Sequence, residues 1–468
     1  MKSRRSIACS FLLLTALLAG CGSRTPDSGG LVGLWEGSLT YPGLEVRIAL
    51  RVTGTEREAQ RVSLLRPDQT DTESPATETT IDGASLRVAF DDPEAAFEGR
   101  LSDNGEALDG EWRQSARNWS VSLVRVSELS SRPRPQTPLP PYPYIERDVS
   151  FINQKADATL AGTLTLPDGT GVFPAVVLIS GAGAQDRDGT ILAHRPFRVL
   201  ADFLTRNGIA VLRYDDRGCN ASTGDRSMAT SADYADDALA GVAFLASQPN
   251  INPQRIGLLG HSEGGTIAWI AAATSPQVAF VIAWGTPGLP GLEYNLQYEA
   301  TTARALGATE EQIEAKRAFQ ERVLTVVAGA SDLDAARESI RSIYKEIPNV
   351  PDAQVEATID HLLSPWFRFS LALDPGAVLE EITCPVLALF GGNDVQVPPE
   401  RNVEAVRAAL ERGDNPDHEV LVLEGLNHFF QTSSTGSPLE YGEISETLSP
   451  DALTLVTDWI ARRTGLTD

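Results

Sequence analysis

The segment Gly260-His261-Ser262-Glu263-Gly264-Gly265 sets a serine between two glycines in a Gly-x-Ser-x-Gly pattern. A strand-like run, 255–259, precedes it and a small-residue helical run, 266–273, follows. That order is the context of a strand–turn–helix elbow, in which a sharp turn lifts the serine hydroxyl above a sheet. Glycine at 260 and 264 would let strand and helix approach without Cβ clashes. The hydroxyl would then stand at a helix N-terminus, where the dipole and free N–H groups favour developing negative charge. A serine hydroxyl is a poor nucleophile without a base. Two later loops supply partners in the order serine, acid, histidine: 390–394 (FGGND) after the strand-like 385–389, and 424–428 (EGLNH) after 419–423. Asp394 would hold His428 in the tautomer that lets it take the proton of Ser262, which is acyl-transfer chemistry.

The chain has five histidines. His261 adjoins the serine and is expected to point away from it. His418 lies at the wrong end of the last strand, His361 in an inserted helical segment, and His194 in a loop before a helix. His428 remains as the base. The oxyanion donors would be the backbone N–H of Glu263 and one from the loop 180–189, with Ala182 the first choice and Gly183 the second. That loop is not a dinucleotide fingerprint, because the spacing from Gly181 and Gly183 puts Asp186 where glycine is needed. Walker A and His/Cys metal spacings are absent from the sequence, so neither cofactor nor metal is expected. The charged clusters Asp215-Asp216-Arg217 and Asp186-Arg187-Asp188 are expected to tie loops together by ion pairs rather than to touch substrate.

The elements that must position these residues are legible from periodicity. From about 147, near-continuous apolar runs alternate with helical ones: 175–179, 209–213, 255–259, 278–282, 385–389 and 419–423. Such runs with crossovers imply a mostly parallel sheet covered by helices on both faces, an α/β fold. Residues 147–166 read as an antiparallel pair leading in. The helix-rich stretch 287–380, with a helix over 310–328, reads as a cap inserted in the catalytic domain 147–468. Residues 31–127 instead alternate with period two, as in Leu44, Val46, Ile48, Leu50 and Val52 against Glu45, Arg47, Ala49, Arg51 and Thr53. A small antiparallel barrel or sandwich of seven or eight strands, with one wet face, is the expectation. Gly33-Leu34-Trp35 loosely resembles the lipocalin Gly-x-Trp signature; here it is read as a tryptophan plugging a small barrel. Between the two domains lies a linker, 128–146, with six prolines between 133 and 143, read as a semi-rigid spacer.

Residues 1–5 are basic and 7–19 are apolar, followed by Leu18-Ala19-Gly20-Cys21. A basic start, a short apolar core and small residues before a cut make an export signal. Leu-Ala-Gly-Cys resembles the lipobox of bacterial lipoproteins. That resemblance implies a signal peptide over 1–20, diacylation of Cys21 and a tether over 21–30. With glycine at 22, it implies the periplasmic side of the outer membrane.

Over 147–465 the chain resembles bacterial α/β-hydrolase carboxylesterases of the EstD type. The resemblance rests on ISGAGAQDRDG (179–189), FRVLADFLTRNGIAVLRYDDRG (197–218), IGLLGHSEGG (256–265), GGNDVQVP (391–398) and LNHFF (426–430). It implies an α/β-hydrolase fold, a triad of Ser262, Asp394 and His428, short-chain acyl esters as substrates and no cofactor. One departure is Asn220, where relatives usually carry a second glycine, which makes the local loop conformation a question. The triad alone leaves open a peptidase or amidase on the same machinery, and a non-enzymatic binding lipoprotein.

Composition sets the outer bounds. At 468 residues, 42% hydrophobic and 22% charged, the chain is not wholly disordered. Lys+Arg total 39 against 63 Asp+Glu, a net charge of −24, which repels phosphate backbones and excludes a nucleic-acid partner. Beyond the N-terminus no apolar run reaches the roughly 18 residues of a membrane span. Four cysteines are too few for a disulfide scaffold at this length; two free thiols, Cys219 and Cys384, are expected, with pairing left open. The oligomeric state is not encoded in any of these features.

Overall fold

A computed structural model describes residues 30–41, 44–54, 60–68, 73–91, 94–114, 117–130, 132–347 and 350–466. The signal segment and Cys21 lie outside the described residues.

The N-terminal domain is a run of short strands: β1 (Gly33–Tyr41), β2 (Leu44–Thr53), β3 (Arg61–Leu65), β4 (Ser74–Pro75), β5 (Glu78–Asp82), β6 (Ser85–Asp91), β7 (Glu94–Leu101), β8 (Ala107–Gln114) and β9 (Arg117–Val126). They pair antiparallel in the order β4-β3-β2-β1-β9-β8-β7-β6-β5. The two edge strands are neighbours in the chain. The Ala76 and Thr77 N–H groups between them donate to Val62 O (2.8 Å) and Ala89 O (2.9 Å). The sheet therefore curls back on itself as a barrel. Its core holds Trp35, Leu50, Leu64, Phe97 and Trp112. Trp35 is fully buried, its indole N–H donates to Leu31 O at 2.8 Å, and the Arg125 guanidinium lies 4.1 Å over its ring.

Among the described residues, nine strands replace the seven or eight expected. β4 has two residues and β5 is almost entirely exposed, so neither leaves an apolar alternation to read. The wet face expected on β2 is also corrected. Arg47 and Ala49 are buried, and Arg47 forms a forked pair with Asp68 (2.7 and 3.0 Å). The middle of the outer face of β2 is covered by neighbouring chain, while Glu45 and Thr53 at its ends stay exposed. The prolines do not stand off as a spacer either. Arg134 donates to the Leu192, Gly442 and Ile444 carbonyls (2.7, 2.9 and 3.1 Å), and Gln136 donates to Leu448 O (2.7 Å), which straps the segment onto the second domain. Loop carbonyls that pack together need donors, and a guanidinium supplies several at once.

The second domain carries an eight-stranded sheet. Its strands are β10 (Tyr144–Asn153), β11 (Ala158–Pro167), β12 (Phe173–Ile179), β13 (Ala210–Tyr214), β14 (Ile251–His261), β15 (Val281–Trp284), β16 (Val386–Gly391) and β17 (His418–Leu423). The order is β10-β11-β13-β12-β14-β15-β16-β17. β11 pairs antiparallel with both β10 and β13, and β13, β12, β14, β15, β16 and β17 pair parallel. β13 and β16 are buried throughout, which is why their sequences show no alternation. One face is covered by α2 (Ser231–Ala246), α3 (Glu263–Thr274) and α10 (Pro399–Arg412); the other by α1 (Pro196–Arg206) and α11 (Pro450–Thr464). Each fully buried Leu or Ile of these layers contributes about 1.5–3 kcal/mol over its exposed state.

Between β15 and β16 come α4 (Gly291–Ala305), α5 (Glu310–Ala328), α6 (Leu333–Tyr344), α7 (Asp352–Leu362), α8 (Pro365–Ala372) and α9 (Pro375–Leu379). The cap has a core of its own, with Leu324, Ile340, Ile359 and Phe367. Cys219 and Cys384 are free and half-buried. Among the described residues no helix is long and apolar enough to cross a membrane.

Candidate active site

β14 ends at His261 and α3 begins at Glu263, leaving Ser262 as the single residue of the turn. Its backbone sits at φ 55°, ψ −122°, in the region that L residues rarely enter. The strain is held by close approach of strand and helix. A Cβ on Gly260 would strike the Gly264 carbonyl, and one on Gly264 would strike the Ile179 carbonyl. The Ser262 N–H donates to Trp284 O at 2.8 Å, which ties the turn to β15.

Asp394 follows β16 and His428 follows β17. Both are 3% exposed. His428 Nδ1–H donates to Asp394 Oδ2 at 2.8 Å, and Asp394 Oδ1 accepts the Gln396 and Val397 N–H groups, each at 2.8 Å. The carboxylate is thereby oriented from both sides, and Nε2 is left as the basic nitrogen of the ring. Asn427 shapes the histidine loop, since its Oδ1 accepts the N–H of Phe429 and of Gln431 at 3.0 Å each. Ser262 and His428 line one cavity of about 730 Å³.

Glu263 is the first residue of α3, with its N–H on the elbow. Ala182 lines that same cavity and a second one of about 360 Å³ that also reaches Ser262. Gly183 (φ 92°) lines only a third cavity, which Ser262 does not border. The placement favours Ala182 over Gly183 as the second donor. Gly181 packs so near that a Cβ there would stand 3.3 Å from the Ser262 Cβ.

The Glu263 side chain is largely buried. Its Oε1 accepts from Ser231 Oγ (2.7 Å) and from the Trp366 indole of α8 (2.6 Å), and burial raises its pKa above the ordinary carboxyl value. Asp216 binds the loop that carries Ala182: its Oδ1 accepts from Ser180 Oγ (2.6 Å) and its Oδ2 from the Gln185 N–H (2.8 Å). Burial pushes the Asp216 carboxyl up to about 7. Arg187 pairs with Asp215 (2.8 Å), Arg217 with Asp237 (2.9 Å) and Asp188 with Arg213. These clusters knit the loops around the site. Asn220 takes φ 46°, the conformation that a glycine would adopt without strain.

His261 is the residue that sequence placed wrongly. Rather than turning away, its Nε2–H donates to the His428 carbonyl at 2.9 Å, and the two rings lie 4.8 Å apart. Burial, then the neighbouring His428, pushes its pKa down to about 3, so it stays neutral and braces the histidine loop. Gly285 was missed altogether. At φ 59° it lies under the pair, where a Cβ would stand 3.3 Å from His428 Nδ1 and 3.5 Å from Asp394 Oδ2. Its only sequence signal is its place after β15. His194 is buried between Thr447 Oγ1 (2.9 Å) and the Tyr441 carbonyl (3.1 Å), and it braces the loop that the proline strap also grips.

Residues 176–439, more than half of the chain, match the alpha/beta hydrolase family. The chain is 30% identical over 284 residues to Esterase EstD of Thermotoga maritima, covering 60% of this chain and 61% of that esterase's own length. It is 25% identical over 280 residues to an uncharacterized 31.7 kDa protein of Escherichia coli, covering 58% of this chain and 90% of that one. Among solved structures, the alpha/beta hydrolase GrgF from Penicillium sp. sh18 superposes with a TM-score of 0.43 at 19% identity, covering 69% of this chain and 99% of that one. With its sheet order, its inserted cap and a match that runs from β12 past the loop of His428, the chain belongs to the alpha/beta hydrolase family.

Proposed function

We propose that the protein is a serine hydrolase of carboxylic esters. The observation that carries this reading is Ser262 on its strained turn, facing one cavity with a His428 already held by Asp394. His428 takes the Ser262 proton as Oγ attacks the ester carbonyl. The oxyanion is received by the N–H groups of Glu263 and Ala182, each contributing about 3 kcal/mol to lowering the barrier. The imidazolium returns its proton to the leaving alcohol. Water, activated by the same histidine, then releases the acid from the acyl-serine.

The likeness to an esterase favours ester bonds, and short-chain acyl esters, which the sequence resemblance implies, are the first substrates to try. A second reading, hydrolysis of peptide or amide bonds on the same triad, is favoured by one observation: the barrel supplies Val46, Arg66 and Asp68 to the wall of the cavity and so restricts access. Rates on nitrophenyl esters and on aminoacyl nitroanilides, measured in parallel, separate the two. On the esters, Ser262→Ala should lose roughly a thousandfold or more in kcat; near-full activity in that variant would remove Ser262 as the nucleophile. The basic start, apolar run and Cys21 support an exported chain anchored by lipid at Cys21 on the periplasmic side of the outer membrane. Loss of radiolabelled palmitate in Cys21→Ala would support the anchor, and retention would refute it.

A further inference from the structure

We propose that the Tyr294 and Tyr298 hydroxyls form a subsite under the cap for an uncharged oxygen on the substrate's acyl group, so that hydroxyacyl or oxoacyl esters are preferred to plain alkanoyl ones. This rests on the ester-hydrolase reading.

Ser262 borders the cavities of about 730 and 360 Å³, and His428 lines only the larger. The proton that His428 takes must reach the leaving oxygen, so the acyl group is the part that enters under the cap. Tyr294 and Tyr298 stand at i and i+4 on α4 and share a face, which fronts the cavity of about 360 Å³. α4 is fixed against the catalytic domain: Thr301 Oγ1 donates to the Val395 carbonyl (2.7 Å), and Asn402 Nδ2 donates to Gln297 Oε1 (3.1 Å). The two tyrosines are thereby set relative to Asp394, the residue before Val395.

Several polar side chains of this cavity already have partners. Ser231 and Trp366 donate to Glu263, Asn295 donates to the Gly291 carbonyl (2.8 Å), and Gln396 donates to the Tyr441 hydroxyl (3.1 Å). The Tyr294 and Tyr298 hydroxyls hydrogen-bond no described residue, and neither oxygen is sealed in protein, so both open on the cavity that they line. Burial raises both pKa values above that of an ordinary phenol; for Tyr294, the neighbouring Tyr298, Asp394 and Glu263 raise it further. Both hydroxyls therefore keep their protons and can donate. An alkyl chain would strip water from them and return no bond, and a buried donor left unpaired costs about 1–3 kcal/mol. A substrate oxygen restores the bonds, and a site built to hydrogen-bond such an oxygen rejects the analogue that lacks it.

Charge decides the kind of oxygen. Glu263 and Glu299 line the cavity, and no described Lys or Arg does, so a carboxylate would meet like charge with no cation beside it. An ammonium would have to displace Lys316 from Glu299 or rely on Glu263, whose burial favours its uncharged form. A neutral hydroxyl or carbonyl oxygen remains as the group that two phenol donors recognise.

The test uses the full-length protein and four methyl esters: pentanoate, 3-hydroxypentanoate, 3-oxopentanoate and levulinate. Each kcat/KM is divided by that ester's rate of alkaline hydrolysis, which removes the oxygen's own effect on the reacting carbonyl. Wild type should then prefer at least one oxygenated ester to methyl pentanoate by about tenfold. Tyr294→Phe and Tyr298→Phe keep the rings and remove the hydroxyls. Each should cut that preference by about threefold to tenfold, and kcat/KM on methyl pentanoate should rise, because its chain no longer covers an unpaired donor. A preference for none of the three oxygenated esters would overturn the subsite, as would Tyr294→Phe and Tyr298→Phe variants that slow alkyl and oxygenated esters equally. Turnover of methyl pentanoate by wild type and not by Ser262→Ala secures the ester reading separately; no ester turnover by wild type would overturn both.

Discussion

Ser262 owes its position to contacts that no side chain could replace. The turn is one residue long, and the backbone atoms of Gly260, Gly264 and Ile179 close around it. This part of the site was legible because chemistry and packing coincide in one short pattern. The partners Asp394 and His428 could be picked out because each ends a strand-like run in the required order. His261 and Gly285 were not legible, since their roles depend on how near the His428 loop comes, and that is set by strands far apart in sequence. Asp216 is similar: its charge suggested an ion pair, yet it binds the Ser180 hydroxyl and the Gln185 N–H and lines a cavity of about 480 Å³. Burial lifts its carboxyl from 3.8 to about 7, so the folded chain keeps a proton that the unfolded chain releases. The resulting stability is fully present below about 3.8 and is lost as pH rises through about 7. Chemical denaturation across pH 4 to 8 should show that decline in wild type and a flatter profile in Asp216→Asn; identical slopes would remove the assignment.

At the scale of elements, continuous apolar runs marked the buried strands and a break in their alternation marked the cap. What periodicity could not show was how the cap is attached. One attachment is a hydrogen bond from the Trp366 indole of α8 to the buried Glu263 carboxyl on α3, at 2.6 Å. Glu263 is also the first residue after Ser262, so the cap is bonded to the residue whose N–H is proposed to receive the oxyanion. A hydrogen bond to a charged acceptor is worth about 1.5–3 kcal/mol, and more is lost if the acceptor is left buried without it. Trp366→Phe should therefore speed amide hydrogen exchange in α8 by roughly tenfold to a hundredfold, while β12 to β14 stay protected. Unchanged exchange in α8 would mean that the bond does not hold the cap. The strands β4 and β5 show the opposite limit, since elements that bury almost nothing leave no pattern to read.

For the whole molecule, the sequence showed two domains and a proline-rich join but not their embrace. Proline content predicts stiffness; it carries no record of what Arg134 and Gln136 grip. In the structure the strap fastens to the loops holding Leu192, Gly442 and Leu448, and the barrel closes one wall of the catalytic cavity. Arg134 makes three bonds to carbonyls, so Arg134→Ala should release the barrel by about 2–4 kcal/mol. Limited proteolysis reads this as faster cleavage between 128 and 146 with the catalytic domain left intact; an unchanged cleavage rate would contradict the strap's role.

The most direct test of the central claim is intact-protein and peptide mass spectrometry after exposure to a fluorophosphonate. The account predicts one adduct per chain on Ser262, absent in Ser262→Ala and formed at least about a hundredfold more slowly in His428→Ala. An adduct that persists in Ser262→Ala, or that forms equally fast without His428, would contradict it.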